Sequence, residues 1–221
     1  MSENEFVYIL RELTKAYHNQ SPLLIDSEYD IIKDYFEIKY PKEYNLWSKE
    51  VGAPVEKNKA ILPYEMGSMD KIKPDTIALT KWQSTYKGPY VLSCKLDGVS
   101  GSYTTMNGES DLYTRGDGVV GQDITHLLRA LKLPVIPAGV AIRGEFILPK
   151  RVFESKYRGT FANPRNLVSG IVNAKKVDEK VSDLHFVAYE VVNPEMIHSQ
   201  QMEKLAEWKL EVVRHTTRGA L

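Results

Sequence analysis

Apolar and polar positions alternate at helical spacing through the first 40 residues of the chain. The apolar residues of the first stripe are Phe6, Leu10, Leu13 and Tyr17. This stripe predicts a helix over residues 3–19. Ser21-Pro22 breaks it, and a second helix is predicted to begin at Asp26 as its N-cap residue and to end at Pro41. The pattern therefore predicts a helical hairpin that is too small to be stable without packing on something larger.

The pattern changes to that of β-strands after residue 89. Short apolar or alternating runs predict strands over residues 90–95, 100–105, 111–115, 140–146 and 184–191. Asn107-Gly108 between two of these runs is typical of a hairpin turn. Helices are predicted over residues 124–132, from Pro164 onward, and over residues 199–210. The fold class expected is α+β, with antiparallel sheets and flanking helices behind the helical hairpin.

Composition narrows the kind of protein. The 221 residues include 43% hydrophobic and 26% charged side chains, as in ordinary water-soluble proteins. No apolar run approaches the roughly 20 residues that span a bilayer, and the polar N-terminus does not have the pattern of a signal peptide. We therefore expect a cytoplasmic monomer without a membrane partner.

Net charge and cysteine content argue against several classes of protein and of structural site. The 29 basic and 29 acidic residues give zero net charge, which argues against a pure nucleic-acid-binding module. Cys94 is the single cysteine, so an internal disulfide framework and a cysteine-based zinc finger are both excluded. Cys94 itself is expected to be a small buried residue that faces a core.

Lys95 follows a short apolar run and precedes Asp97 and Gly98, which predicts a buried strand that breaks at Gly98. A lysine amine is almost entirely protonated near neutral pH, so using it as a nucleophile requires about 4 kcal/mol from desolvation or a neighbouring cation. Asp97 is predicted to share a strand face with Lys95. It could orient the amine, hold a metal ion or bind a ribose hydroxyl. An ordinary strand-end Lys–Asp pair is the alternative.

Further motifs follow in a fixed order. They are K-L-D-G at 95–98, T-R-G-D-G-V-V-G-Q-D-I-T at 114–125, I-R-G-E-F-I-L-P at 142–149 and F-A-N-P-R-N at 161–166. In this order and spacing they resemble the adenylation domain of the NAD-dependent DNA ligases, which are covalent nucleotidyltransferases with an ATP-grasp-like fold. The resemblance implies that Lys95 attacks NAD to form a lysyl-AMP intermediate and release NMN, with Mg²⁺ as cofactor. Nick sealing in double-stranded DNA by the full-length protein would follow.

The resemblance also implies roles for single residues. Lys95 and Asp97 would be catalytic. Arg115 would contact the bound nucleotide, Glu145 would bind its ribose or act through a metal, and Arg165 would engage a phosphate at the nick. An arginine suits phosphate ligands because its planar guanidinium stays charged and offers several donors.

Tyr189 would stack on adenine, with a half-buried strand tyrosine as the alternative. Ser68 and Met69 match a segment that lines the adenosine pocket. Two positions depart from the family pattern: Ser93 stands where a glutamate is usual, and Asn173 where a second arginine is usual. No role is carried onto either position.

Polar residues around the helical hairpin resemble the small NMN-binding domain of the same ligases. They are Tyr17, His18, Asp26, Tyr29 and Asp30. Aromatic rings can stack on a cationic nicotinamide, and carboxylates can bind ribose hydroxyls. The resemblance implies that these residues hold the NMN half of NAD.

The implied domains are an NMN-binding domain at 1–48, a linker at 49–60 and an adenylation domain at 61–221 that lacks its C-terminal third. No metal-ligating residues are assigned. Two alternatives stay open: an ATP-dependent relative of the same superfamily, and a non-catalytic module that binds NAD.

Overall fold

The computed structural model describes residues 2–19, 23–24, 26–48, 58–74, 76–174 and 176–219. Three helices come first: α1 (Glu3–Asn19), α2 (Asp26–Lys39) and α3 (Pro41–Trp47). The predicted bounds of α1 and the start of α2 are confirmed. The third helix was not predicted, because Pro41 was read only as a stop. Proline also suits the first turn of a new helix, where its missing N–H is not needed.

The three helices share a small aromatic core. Phe6 and Phe36 stack with their ring centroids 5.2 Å apart, and Leu10 is fully buried beside them. Tyr44 and Trp47 of α3 pack edge-on against Phe36. Helix α3 therefore completes a core that two helices alone would leave partly open.

The remaining elements follow in chain order: β1 (Lys59–Ile61), α4 (Ile77–Thr85), β2 (Tyr90–Ser93), β3 (Val99–Thr104), β4 (Asp111–Thr114), β5 (Val120–Gln122), α5 (Leu128–Leu131), β6 (Ala141–Ile147), α6 (Lys150–Lys156), α7 (Pro164–Val172), β7 (His185–Asn193), α8 (His198–Glu207), β8 (Glu211–Val212) and β9 (His215–Arg218). Short 3₁₀ turns precede α5 and β7. This mixture of helices and antiparallel sheets is the α+β class expected from the sequence.

A five-stranded sheet in the order β4-β3-β6-β7-β8 forms the centre of this region. Its pairs are antiparallel except β7 with β8, which run parallel. The main hydrophobic core packs around it, with fully buried residues such as Ile142, Phe146 and Val168. The register sets Ser100 of β3 directly opposite Glu145 of β6.

Strand β2 differs from its prediction. It ends at Ser93 rather than at residue 95, and it pairs only with β9 in a two-stranded ribbon. A ribbon without further strands or a second layer cannot bury both faces. Lys95 and Cys94 are therefore exposed, and the expectations of a buried strand and of a buried Cys94 are wrong.

Strand β1 lies at the end of the predicted linker. Lys59 pairs with Gln122 and Ala60 with Gly121 of β5, while residues 49–57 lie outside the described residues. A search of the described helices found none with the length and apolar character needed to cross a bilayer.

Candidate active site

Lys95 lies in the loop that connects β2 to β3. The loop is fixed at its start, where the Cys94 N–H donates to the Arg214 carbonyl over 3.1 Å. The Lys95 side chain is exposed. Burial raises the pKa of Glu145 on the central sheet, and the positive charge of Lys95 opposes that rise.

Glu145 is the buried acid of the site. Its carboxylate accepts hydrogen bonds from the Gly98 N–H at 3.2 Å and from the Ser100 hydroxyl at 2.8 Å. Burial raises the pKa of Glu145, and Ser100, Arg165 and Lys95 act in the opposite direction. An acid in a strand interior is stable only with such partners. Arg143, two residues before Glu145 on the same strand, pairs with Glu190 and not with Glu145.

Gly98 allows the loop to approach the sheet. A Cβ atom at this position would lie 1.9 Å from the Phe146 carbonyl oxygen. Only glycine permits this approach, which in turn brings the Gly98 N–H to Glu145. The glycine of K-L-D-G therefore sets the spacing between the lysine loop and β6.

Asp97 and Arg165 connect the loop to helix α7. Arg165 Nη1 donates to Asp97 Oδ1 over 3.0 Å; the Asp97 side chain is 69% exposed and that of Arg165 19%. Helix α7 begins as the sequence predicts, with Pro164 in its first turn and Asn163 as N-cap, accepting from the Asn166 N–H. This cap aims Arg165 at the lysine loop.

Arg115 comes from the glycine-rich turn after β4. Its backbone N–H donates to the Ser100 carbonyl over 3.0 Å, which fixes the turn to β3. Burial lowers the pKa of Arg115, and the negative charge of Glu145 raises it, followed by Tyr189. The guanidinium therefore belongs to the same cluster as Glu145.

Tyr189 reaches the cluster through an irregularity in β7. The register shifts between Arg143 and Gly144, which pair with Glu190 and Ala188, so Tyr189 is the extra residue of a bulge. Burial raises the pKa of Tyr189 to about 12, with Glu145 as the next cause. The sequence of β7 alone does not reveal this bulge.

The structure does not bring every predicted residue to Lys95. Ser68 and Met69 are exposed, with Met69 71% accessible, on a segment anchored by the Met66 N–H to the Gly118 carbonyl at 2.8 Å. Their role at the adenosine pocket stays a prediction. Ser100 was not singled out from the sequence, because its place at the site follows from its pairing with Glu145 across β3 and β6.

The helical region contains the predicted NMN contacts. The side chains of Tyr17, His18 and Asp26 lie outside the described residues. Tyr29 is half-buried and shares a 2.8 Å hydrogen bond with Thr14, and burial raises its pKa. Asp30 is exposed. How these residues relate to Lys95 stays a prediction.

Within the described ranges, no group of three or more His, Cys, Asp or Glu side chains could hold a metal ion. The carboxylates at the site are Asp97 and Glu145, and both Glu145 oxygens accept hydrogen bonds. Asp97 Oδ1 accepts from Arg165, and the Asp97 side chain is 69% exposed. The site as a whole offers a lysine amine, two guanidinium groups, a buried acid and an aromatic ring.

Comparison with known proteins adds a family to this geometry. A family profile described as the NAD-dependent DNA ligase adenylation domain matches residues 70–220, more than half of the chain. The matched range holds the clustered residues Lys95, Asp97, Arg115, Glu145, Arg165 and Tyr189.

Individual relatives agree with this match. The DNA ligase of Acanthamoeba polyphaga mimivirus is 47% identical over 212 residues, covering 90% of this chain and 32% of that protein. Protein 205R of Invertebrate iridescent virus 6 is 37% identical, covering 87% and 31%. The DNA ligase of Shewanella denitrificans is 36% identical, covering 56% and 22%. The chain spans about a third or less of the length of these relatives.

A solved structure named Pmar-Lig_Pre. superposes with a TM-score of 0.40 at 12% identity, covering 90% of this chain and 41% of that one. A similarity this low supports no conclusion about the fold.

Proposed function

The chain belongs to the NAD-dependent DNA ligase adenylation-domain family, and from that premise we propose that Lys95 takes the adenylyl group from NAD. The observation that carries the proposal is the cluster around Glu145, in which a lysine loop, two arginines and an aromatic ring converge. A dinucleotide needs cations for its phosphates and an aromatic face for its base. The cluster offers both beside a lysine.

In the proposed step the neutral Lys95 amine attacks the adenylyl phosphorus of NAD. A phosphorus–nitrogen bond forms, and the bond from that phosphorus to the bridging oxygen breaks. NMN leaves with the electron pair, and the amine proton passes to solvent. The product is a lysyl-AMP phosphoramide, which stores the adenylyl group for later transfer.

The other side chains position the nucleotide. Glu145 would accept from the ribose hydroxyls, Arg115 would bind the ribose–phosphate, and Tyr189 would stack on adenine. These roles are supported by their shared cluster with Lys95. Ser68 and Met69 would close the adenosine side of the pocket.

Asp97 and Arg165 would act at the loop itself. Their 3.0 Å ion pair links the residue two positions after Lys95 to helix α7 and would thereby position the lysine loop. Arg165 would in addition engage the 5′-phosphate of nicked DNA once the adenylyl group is transferred.

A magnesium ion, which the family implies, would be held by Asp97 because its carboxylate is exposed at the site. Mg²⁺ commonly takes only one or two protein carboxylates and completes its shell with substrate phosphates and water. When bound, it would offset phosphate charge as the leaving group departs.

The helical region would bind the departing half of NAD through Tyr17, His18, Asp26, Tyr29 and Asp30. The corresponding division is an NMN-binding domain at 1–48, a linker at 49–60 and an ATP-grasp-like adenylation domain from 61. Nicked double-stranded DNA would be the final substrate of a longer protein that acts as a cytoplasmic monomer.

A non-catalytic NAD-binding module is the second candidate. The exposure of Lys95 favours it, since an exposed amine in this chain lacks the desolvation that would make it a nucleophile. The family match favours NAD over ATP as the donor.

The test is transfer of label from adenine-labelled NAD to the chain in the presence of Mg²⁺. A covalent adduct that survives alkali, is hydrolysed by acid as a phosphorus–nitrogen bond is, and is abolished by Lys95→Ala is expected. Lys156→Ala, which removes an exposed lysine paired with Asp183, should keep it. Unlabelled NAD should suppress the adduct and ATP should not. Binding of NAD by calorimetry without any adduct would assign the non-catalytic candidate instead.

A further inference from the structure

Arg143 connects separate parts of the chain beside the active site. Its Nη1 donates to Glu190 Oε2 over 2.8 Å, across the paired strands β6 and β7. Its Nη2 donates to the backbone carbonyl of Glu65. One guanidinium therefore ties the central sheet to residues 62–70, the segment that carries Ser68 and Met69.

The Arg143–Glu190 pair adjoins the Glu145 cluster. Arg143 precedes Glu145 by two residues on β6, so both side chains lie on the same face of the strand. Glu190 follows Tyr189 directly, at the bulge in β7. Both Glu190 and Arg143 act electrostatically on the Tyr189 hydroxyl, which places the pair within reach of the proposed adenine site.

Residues 62–66 are held by apolar packing, with Leu62 and Met66 buried against Tyr113, and by backbone hydrogen bonds. The Leu62 N–H donates to the Val119 carbonyl over 2.9 Å, and the Met66 N–H to the Gly118 carbonyl over 2.8 Å. Residues 67–70 beyond these anchors are exposed. The contact from Arg143 to Glu65 is a direct link between this segment and the strand that carries Glu145.

Stability alone does not account for Arg143. Its side chain is 22% exposed and that of Glu190 29%, so the pair has lost much of its solvation. In addition, Arg143 Nε is buried and has no hydrogen-bond partner among the described residues. A buried unsatisfied donor is destabilising, and partly buried ion pairs often add little to stability.

We propose that Arg143 and Glu190 form a positioning pair for the dinucleotide, which sets residues 62–70 against the adenosine half of NAD. The inference rests on the proposed function. Preorganised walls strengthen binding because less order is lost when the ligand arrives. Loss of the pair should therefore weaken NAD binding and leave the transfer step largely unchanged.

The experiment compares the chain with Arg143→Met, Glu190→Gln and the double variant. Arg143→Met and Glu190→Gln are each expected to raise the calorimetric Kd for NAD by about tenfold. The Kd of the double variant should equal that of the weaker-binding single variant, because each single substitution already removes the same interaction. The rate of label transfer at saturating NAD should stay within about threefold of the unchanged chain.

Lys156→Met is the matched control. It removes another ion pair, the 2.7 Å contact between Lys156 and Asp183, which lies away from the cluster. The Kd for NAD should stay unchanged. Should Arg143→Met fail to fold, Glu190→Gln, which preserves the side-chain shape, decides the outcome.

Two results overturn the inference and differ in what else they overturn. If the unchanged chain does not bind NAD, both the proposed function and the positioning pair are ruled out. If the unchanged chain binds NAD, and Arg143→Met and Glu190→Gln bind it with the same Kd as Lys156→Met, the positioning pair alone is ruled out.

Discussion

Arg165 Nη1 lies 3.0 Å from Asp97 Oδ1, so the first turn of α7 holds the loop that carries Lys95. The Asp97 side chain is largely exposed, and exposed ion pairs contribute little to the free energy of unfolding because water competes for both charges. The consequence of this pair is therefore expected in the placement of the loop rather than in stability.

Asp97→Asn tests that placement. It keeps the size of the side chain and removes the charge that holds Arg165. We expect the rate of label transfer from NAD to Lys95 to fall by about tenfold to a hundredfold, the scale of a misplaced reacting group. The free energy of unfolding should change by no more than about 0.5 kcal/mol.

Glu207→Gln serves as the control for Asp97→Asn. It removes the carboxylate of another exposed pair, the 2.6 Å contact with Lys204 on α8. Transfer should be unaffected. Equal transfer rates in the two variants, measured by quenched-flow labelling, would show that the Asp97 charge has no part in placing the loop.

Much of the fold was readable from local patterns. The apolar stripe of α1 and the proline at the start of α7 gave these elements correctly, because each signal is local in the sequence. Strands β3, β4, β6 and β7 were placed to within two residues. Helix α3 was missed because Pro41 was taken only as the end of α2. Strands β8 and β9 were missed because they are short and are held by distant strands.

The site was readable only in part. Family motifs gave Lys95, Glu145 and Arg165, and the structure groups these three. The exposure of Lys95 was missed because it depends on β2 having β9 as its ribbon partner. The bulge at Tyr189 was also missed, since strand register is a property of two strands and not of one sequence.

The pH dependence of stability should report on Glu145. Burial raises its pKa above the usual 4.5, so the folded chain holds this proton more tightly than the unfolded chain does. The stability that Glu145 contributes is complete below pH 4.5 and is lost as the pH rises through its folded-state pKa. Glu145→Gln does not titrate, so the variant should gain stability relative to the unchanged chain across that interval.

Urea unfolding of both proteins between about pH 4 and pH 7 measures this difference. Gly170→Ala, which changes no titratable group, is the control and should give a constant difference across the same interval. If the Glu145→Gln difference is equally constant, Glu145 does not titrate with a raised pKa in the folded chain.

Gly98→Ala should disturb both stability and chemistry. The new Cβ would meet the Phe146 carbonyl oxygen at 1.9 Å, so the loop has to move away from β6. We expect a loss of about 1–3 kcal/mol in the free energy of unfolding. Transfer to Lys95 should slow as well, because the Gly98 N–H can no longer reach Glu145.

Gly170→Ala is the matched control for Gly98→Ala. A Cβ at Gly170 meets nothing within 4 Å, and the residue lies inside helix α7. Alanine should therefore raise the free energy of unfolding by about 0.5–1 kcal/mol. Thermal unfolding of the two variants separates the cases, and a Gly98→Ala chain as stable as the unchanged one contradicts the close approach.

Tyr189 is expected to contribute through its ring rather than its hydroxyl. The pKa of about 12 keeps the hydroxyl neutral at working pH, so Tyr189→Phe should leave the calorimetric Kd for NAD within about twofold. Tyr189→Leu removes the aromatic face and should raise that Kd by about tenfold or more, the scale of one base stacked on an aromatic side chain.

Tyr157→Leu is the control. It removes an aromatic ring whose hydroxyl donates to Asp183, and it should leave the Kd for NAD unchanged. An equal loss in Tyr189→Phe and Tyr189→Leu would instead assign the contact to the hydroxyl.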